Sequence, residues 1–104
     1  MHIVSRALLV SFYSRPQCSD AKGPLEAWYD VARVANWASP ADVKAQFRNA
    51  SFVGNNRVVF NIKGNDYRLI VAFAYRMQRG YIKFVGTHAE YDRVNAATVD
   101  QSKE

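Results

Sequence analysis

The two side chains best suited to proton transfer lie one helical turn apart near the end of the chain. Histidine is the side chain that most readily gains and loses a proton near neutral pH, and His88 is the only plausible candidate because His2 is terminal. Tyr91 follows at i+3, so both side chains can share one helix surface, where the phenol could stack on a base or assist proton transfer. Structural roles remain open for both: His88 as a capping or surface residue, and Tyr91 as a cover for a sheet edge.

Cations on the preceding strands are the second part of the predicted site. Arg68 is the best candidate for a phosphate ligand, because a guanidinium is always charged and can bind an oxyanion through two hydrogen bonds. Lys83 is predicted to act with it in stabilising a pentavalent transition state. Contacts to RNA are expected from Arg57, Lys63, Asn61, Arg76 and Arg79. The alternatives are that Arg68 pairs with Asp66 or the acidic tail, that the lysines are simply solvated, and that Arg76 and Arg79 serve solubility.

These residues permit RNA cleavage without a metal. A base would take the proton of the 2′-hydroxyl, the oxygen would attack the adjacent phosphate, and an acid would protonate the leaving 5′-oxygen. Asp66 stands alone among basic residues and Glu90 fits a helix cap, so no carboxylate cluster is expected to hold two metal ions. Cys18 is the single cysteine, which excludes a cysteine-based metal cluster. We therefore expect neither a metal nor another cofactor.

The elements that position these residues follow from the local sequence pattern. Apolar spacing predicts a helix over residues 3–13, a second one capped by Ser19 or Asp20, and a short third one that begins at Ser39-Pro40. Strands are predicted over residues 57–63, 66–76 and 81–86, with a further short one over 51–53. Thr87 to Glu90 matches a capping box and predicts a short helix through Val94. The order indicates an α+β fold, with N-terminal helices on one face of a three- to four-stranded antiparallel sheet.

The Gly64-Asn65 turn sets the register of the predicted hairpin. It aligns Val59 with Ile70 and Asn61 with Arg68, and it places Lys63 opposite Asp66. Side chains alternate along each strand, so the core face carries Val58, Phe60, Ile62, Tyr67, Leu69, Val71, Phe73, Ile82 and Phe84. The basic residues Arg57, Lys63, Arg68 and Lys83 then gather on the opposite, exposed face.

Length and charge restrict the class of protein. The 104 residues carry 14 Lys+Arg and 9 Asp+Glu, which fits one domain over residues 1–104 and an anionic partner. Six of the basic residues and only one acidic residue lie between Arg57 and Gly86. No apolar run approaches the roughly 20 residues of a membrane span, and no signal peptide is apparent, so a cytoplasmic protein is expected. The tail over about residues 97–104 is predicted to fray.

Two segments resemble a known family. They are V-V-F-N-I-K-G-N-D-Y-R-L-I at residues 58–70 and Y-I-K-F-V-G-T-H-A-E-Y-D at residues 81–92. Both resemble the HigB-type toxins of bacterial toxin–antitoxin systems, within the RelE/ParE-like superfamily. The resemblance covers most of the chain from the second helix to Val94.

The resemblance implies a fold, an activity and a partner. The expected fold has helices on one side of a curved antiparallel sheet. The expected activity is that of an mRNA interferase that cuts translated messenger RNA on the ribosome. The expected partner is a HigA-type antitoxin with a helix-turn-helix domain, which neutralises the toxin and represses the shared operon. Contact with DNA is then only indirect, through the antitoxin complex.

Two other functions remain open from the sequence. A basic module of this kind could grip RNA or an acidic protein without cutting anything. The same fold could also serve a toxin of the ParE type, which poisons gyrase.

Overall fold

The chain folds into one five-stranded sheet with helices on one side. The computed structural model describes residues 1–102. Within them the elements are β1 (His2–Val4), α1 (Ala7–Tyr13), a 3₁₀ helix (Pro16–Ala21), α2 (Lys22–Val34), α3 (Pro40–Gln46), β2 (Ser51–Val53), β3 (Arg57–Ile62), β4 (Tyr67–Ala74), β5 (Arg79–Thr87) and α4 (His88–Tyr91). The strand order is β1-β5-β4-β3-β2. The predicted α+β class is confirmed, although the sheet has five strands and β1 runs parallel to β5.

The start of the chain differs from the prediction. Residues 2–4 form an edge strand instead of the first turn of a helix, and α1 begins only at Ala7. Ile3 lies opposite Gly80 on β5 and is buried, and the amide of His2 donates to the carbonyl of Gln78 at 2.7 Å. Pairing with an otherwise open edge of β5 therefore outweighs the helical spacing of the apolar residues.

The second and third helices form where the sequence predicts them. Pro16 opens the 3₁₀ helix and Pro40 opens α3, each after a residue with extended backbone. The predicted caps of α2 are wrong, because α2 begins after Ala21 and no side chain caps it. Asp20 instead accepts a hydrogen bond from the Tyr67 hydroxyl on β4, so its carboxylate ties the 3₁₀ helix to the sheet.

The predicted register of β3 and β4 is confirmed. Val59 lies opposite Ile70 and Asn61 opposite Arg68, and Gly64 takes a positive φ of 63° in the turn. One face of the sheet, the helix face, packs against α1, α2 and α3 and forms the main core. Its strand residues are Val58, Phe60, Ile62, Tyr67, Leu69, Val71, Phe73, Ile82 and Val85.

A bulge in β5 overturns one part of the prediction. Ile70 lies opposite Phe84 but Val71 lies opposite Ile82, so Lys83 is the extra residue of the longer strand. Phe84 is therefore not on the core side that the sequence predicts. It packs with Val59 and Ile70 on the other face of the sheet, the second face.

The second face is covered by the end of the chain. Residues 92–102, the C-terminal segment, cross this face after α4, and Val94, Ala96 and Val99 pack on its three buried apolar residues. The amide of Gln101 donates to the carbonyl of Lys83 at 2.7 Å. Residues up to 102 therefore contact the sheet, while the fraying of residues 97–104 stays a prediction and residues 103 and 104 lie outside the described residues.

Candidate functional site

The β3–β4 turn fixes the guanidinium of Arg68. Its Nη1 donates to the carbonyls of Asn65 and Tyr67 at 3.0 and 3.2 Å, and its Nη2 donates to Oδ1 of Asn65 at 2.6 Å. The side chain is on the second face, as predicted, but only 8% of the residue is exposed. Arg68 is thus a rigid cation that stabilises its own turn and presents a small part of its surface to solvent.

Helix α4 brings His88 and Tyr91 to the same end of the second face. The amide of His88 donates to the carbonyl of Asp66 at 3.0 Å, which ties the start of α4 to the turn. The ring of Tyr91 covers Arg68, with 5.6 Å from the guanidinium carbon to the ring centroid, and its other neighbour is Phe84. Helix α4 therefore begins at the turn that holds Arg68, and Tyr91 reaches the guanidinium.

The exposed imidazole of His88 has one carboxylate partner. Its Nδ1 lies 3.2 Å from Oδ2 of Asp92, one helical turn further on. The two side chains share one face of α4, so the carboxylate limits the orientations of the ring. Asp92 was not among the predicted site residues, although it ends the T-H-A-E-Y-D run and lies four residues after His88.

Glu90 serves the helix cap. Its Oε1 accepts from the amide of Thr87 at 2.9 Å, its own amide donates to the Thr87 hydroxyl, and the predicted capping box is confirmed. Arg15 donates to both carboxylate oxygens, at 3.2 and 3.1 Å. The hydrogen bond from the Thr87 backbone, with help from Arg15, lowers the pKa of Glu90. Glu90 therefore stays ionised and engaged, which does not suit a general acid or base.

The C-terminal segment binds two of the predicted cations. Arg57 is 7% exposed, and its Nη1 donates to the carbonyls of Ala96 and Val99 at 3.1 and 2.5 Å. Nζ of Lys83 lies 3.1 Å from Oδ2 of Asp100, and both side chains are largely buried. The predicted exposure of Arg57 and Lys83 is wrong, because this segment packs over them.

Lys63 is also not on the open second face. It lies in the turn and forms ion pairs with Asp66 at 3.1 Å and with Asp20, in the 3₁₀ helix, at 3.0 Å. The hydrogen bond to Asp20 raises the pKa of Lys63, and the one to Asp66 adds to it. The prediction of four cations on one exposed face is therefore wrong. Arg57 and Arg68 are buried, and Lys63 and Lys83 are paired with carboxylates of the same chain.

Three predicted RNA contacts remain at the surface. Asn61 is exposed beside Arg68 on β3. Arg76 and Arg79 are exposed on either side of the β4–β5 turn, at the end of the sheet away from His88. At the other end of the sheet lie Asn61, Arg68, His88 and Tyr91, together with Asn65 and Asp92. We call these six residues the hairpin-end site. Arg76 and Arg79 are not part of it.

Comparison with known proteins identifies the family. The sequence model of the HigB toxin, described as the RelE-like toxic component of a toxin–antitoxin system, matches residues 21–94. The chain belongs to the HigB toxin family. It is also similar to the mRNA interferase HigB of Escherichia coli O6:H1, with 29% identity over 96 residues, 90% of this chain and 91% of the relative. The resemblance noted in the sequence is thus confirmed, and membership in a toxin–antitoxin system supports an antitoxin as partner.

Neither a cluster of metal ligands nor a membrane-spanning helix is found in the described part of this HigB-family chain. Among residues 1–102, no group of three or more His, Cys, Asp or Glu side chains is arranged to hold a metal ion. No helix in the part of the chain that the structure describes is long and apolar enough to cross a bilayer.

Sequence reasoning missed Asn65, Asp92 and Asp100, which contact three of the predicted site residues. Asn65 was assigned only to the turn, yet its carbonyl and amide oxygens hold Arg68. Asp100 was assigned to a loose tail, yet it pairs with Lys83. The i,i+4 spacing of His88 and Asp92 was the one signal that could have been found without a structure.

Proposed function

We propose that this chain is an mRNA interferase that cleaves translated messenger RNA on the ribosome, without a metal, by attack of the 2′-hydroxyl on the adjacent phosphate. Membership in the HigB toxin family and similarity to the mRNA interferase HigB of E. coli support this proposal. The observation that carries it is the hairpin-end site: an exposed imidazole with a carboxylate at Nδ1, beside an aromatic ring that covers a fixed guanidinium.

Each residue of this site has a proposed role. His88 exchanges the proton of the 2′-hydroxyl or of the leaving oxygen through Nε2. Tyr91 stacks on a base or assists this transfer, and Arg68 supplies positive charge near the phosphate. Asn61 contacts the RNA beside Arg68. Lys83 is less well placed than the sequence suggests, since its ammonium is already paired with Asp100.

The proposed partner is a HigA-type antitoxin with a helix-turn-helix domain. It would neutralise the toxin and bind operator DNA, so this chain would meet DNA only as part of that complex. A reading frame next to the toxin gene that encodes such a domain and restores growth would support this part of the proposal.

The decisive experiment compares the two histidines of the chain. In cells that express His88→Ala, we expect growth to continue and transcript cleavage to fall by about 10²-fold or more, the usual size of a lost acid or base. His2→Ala is the matched control and should cleave like the parent, because His2 lies opposite Arg79, at the other end of β5 from His88.

Mapping of transcript 5′ ends with and without translation tests the ribosome, and the chemistry of the new ends tests the reaction. New ends that disappear when translation is blocked, and that carry the 5′-hydroxyl and the 2′,3′-cyclic phosphate left by attack of the 2′-hydroxyl, support the proposal. Equal cleavage by His88→Ala and the parent would refute the assigned role of His88. Arrested growth with intact transcripts and cleaved chromosomal DNA would instead indicate a gyrase poison.

A further inference from the structure

Helix α2 carries an apolar stripe that no other element covers. Pro24, Ala27, Val31 and Val34 follow each other at helical spacing, and Val31 and Val34 are 36% and 66% exposed. Between this stripe and β3 lies a cavity of about 220 Å³. We call it the α2–β3 groove, and it is lined by Pro24, Ala27, Trp28, Val31, Phe47, Asn61, Ile62 and Lys63.

The groove continues along an unpaired part of a strand. The amide of Phe73 on β4 donates to the carbonyl of Asn56. In an antiparallel ladder only every second residue bonds to the same neighbouring strand, so the backbone groups of Arg57, Val59 and Asn61 point away from β4. β2 lies opposite Arg57 and Val59 but ends before Asn61. The N–H and C=O of Asn61 therefore face an open gap, where a second cavity of about 240 Å³ lies next to Arg48 and Asn49.

The charge available to a partner on this surface comes from Arg48. The charged residues that line the two cavities are Arg48 and Lys63, and Lys63 is already paired with Asp20 and Asp66. Arg48 is exposed and forms no ion pair within residues 1–102. An apolar stripe, an open strand edge and an unpaired cation together fit a peptide segment better than RNA, because a sugar-phosphate chain has nothing to bury against exposed valines.

We propose that the α2–β3 groove is the docking site for a segment of the antitoxin in which apolar side chains alternate with carboxylates. The apolar side chains pack between the α2 stripe and Phe47, and a carboxylate reaches Arg48. The extended backbone of the segment hydrogen-bonds to Asn61 and continues the sheet where β2 ends.

The position of the groove suggests how docking neutralises the toxin. Asn61 lines the groove and is also the neighbour of Arg68 in the hairpin-end site. A docked segment would therefore occupy the edge along which RNA reaches His88. This consequence rests on the proposed function, whereas the docking itself does not depend on the nuclease chemistry.

The test measures binding of purified toxin variants to the cognate antitoxin, taken as the protein whose co-expression restores growth. We expect Val34→Glu and Val31→Glu to weaken binding by about tenfold or more, because a buried charge replaces an apolar contact. Arg33→Gln is the matched control, since it changes the charge by the same amount on the opposite side of α2, and its dissociation constant should stay within about twofold. Arg48→Gln should weaken binding and reduce its salt dependence.

Two outcomes would overturn the docking proposal. In the first, Val31→Glu and Val34→Glu bind the antitoxin with the same dissociation constant as Arg33→Gln, and circular dichroism shows that all three variants are folded. The other is a parent toxin that sediments as a dimer which Val34→Glu dissociates, since the groove would then join two copies of this chain. Transcript cleavage separates this result from the proposed function: Val31→Glu and Val34→Glu should keep cleaving RNA but escape the antitoxin.

Discussion

The carboxylate of Asp100 should make a measurable contribution to stability, because it accepts a hydrogen bond from Ser102 and pairs with the largely buried Lys83. The hydroxyl of Ser102, followed by Lys83, lowers the pKa of Asp100 from 3.8 to about 2. At 1.36 kcal/mol per pKa unit this shift corresponds to at most about 2.5 kcal/mol in the free energy of unfolding. Solvent screening lowers this contribution, and an Asn side chain can still accept the hydrogen bond from Ser102. We therefore expect Asp100→Asn to lower the free energy of unfolding by about 1–2 kcal/mol at pH 7.

The dependence on pH identifies the cause of that loss. The pKa of Asp100 is lower in the folded chain, so its contribution is fully present above the unfolded value of 3.8 and disappears as the pH falls toward 2. Urea unfolding of Asp100→Asn and the parent should therefore differ at pH 7 and converge near pH 2. The control is Asp30→Asn, because the Asp30–Arg33 pair is more than half exposed and should contribute less than about 0.5 kcal/mol. Equal losses for the two variants, or a difference that persists at pH 2, would refute the reasoning.

Three further substitutions test the elements around the hairpin-end site. Gly86→Ala should destabilise by about 2 kcal/mol or more in thermal unfolding, because a Cβ there would lie 2.5 Å from the Phe84 ring, whereas Gly23→Ala on α2 meets no atom within 4 Å and should be neutral or stabilising. Equal melting temperatures for the two variants would contradict this. Thr87→Ala should lower the free energy of unfolding by about 1 kcal/mol, because it removes the cap of α4. Transcript cleavage should also fall, because the cap fixes the start of the helix that carries His88. Unchanged cleavage would show that the cap does not position His88.

Local signals in the sequence were sufficient for the hairpin and for α4. The Gly64-Asn65 turn and the alternation of apolar residues determine the register, since a shift by one residue would expose Phe60 and Leu69. Thr87 and Glu90 form a cap through their own short-range hydrogen bonds. Both features depend on residues that are close in sequence, which is why they could be predicted.

Contacts between distant residues explain what the sequence could not predict. The bulge at Lys83 appears only in the pairing of β5 with β4, and no local pattern in the sequence marks it. β1 forms because β5 has an open edge some 75 residues further along the chain. The C-terminal segment looks polar, yet Val94, Ala96 and Val99 meet Val59, Ile70 and Phe84 once the strands are in place. An apparently exposed basic face was thus a second, smaller core.

Burial and ion pairing limit which cations can attract RNA. Arg57 and Arg68 are buried, and five more cations pair with carboxylates: Arg6, Arg15, Arg33, Lys63 and Lys83. A neutral pair adds little to a long-range field, so the net charge of +5 acts through exposed cations such as Arg48, Arg76 and Arg79, which lie at opposite ends of the sheet. A field spread in this way brings RNA to the protein without aligning it at one place. If the chain cleaves RNA as proposed, alignment at His88 must come from short-range contacts, by stacking on Tyr91 and hydrogen bonding to Asn61, so loss of these two groups should reduce cleavage more than loss of any exposed arginine.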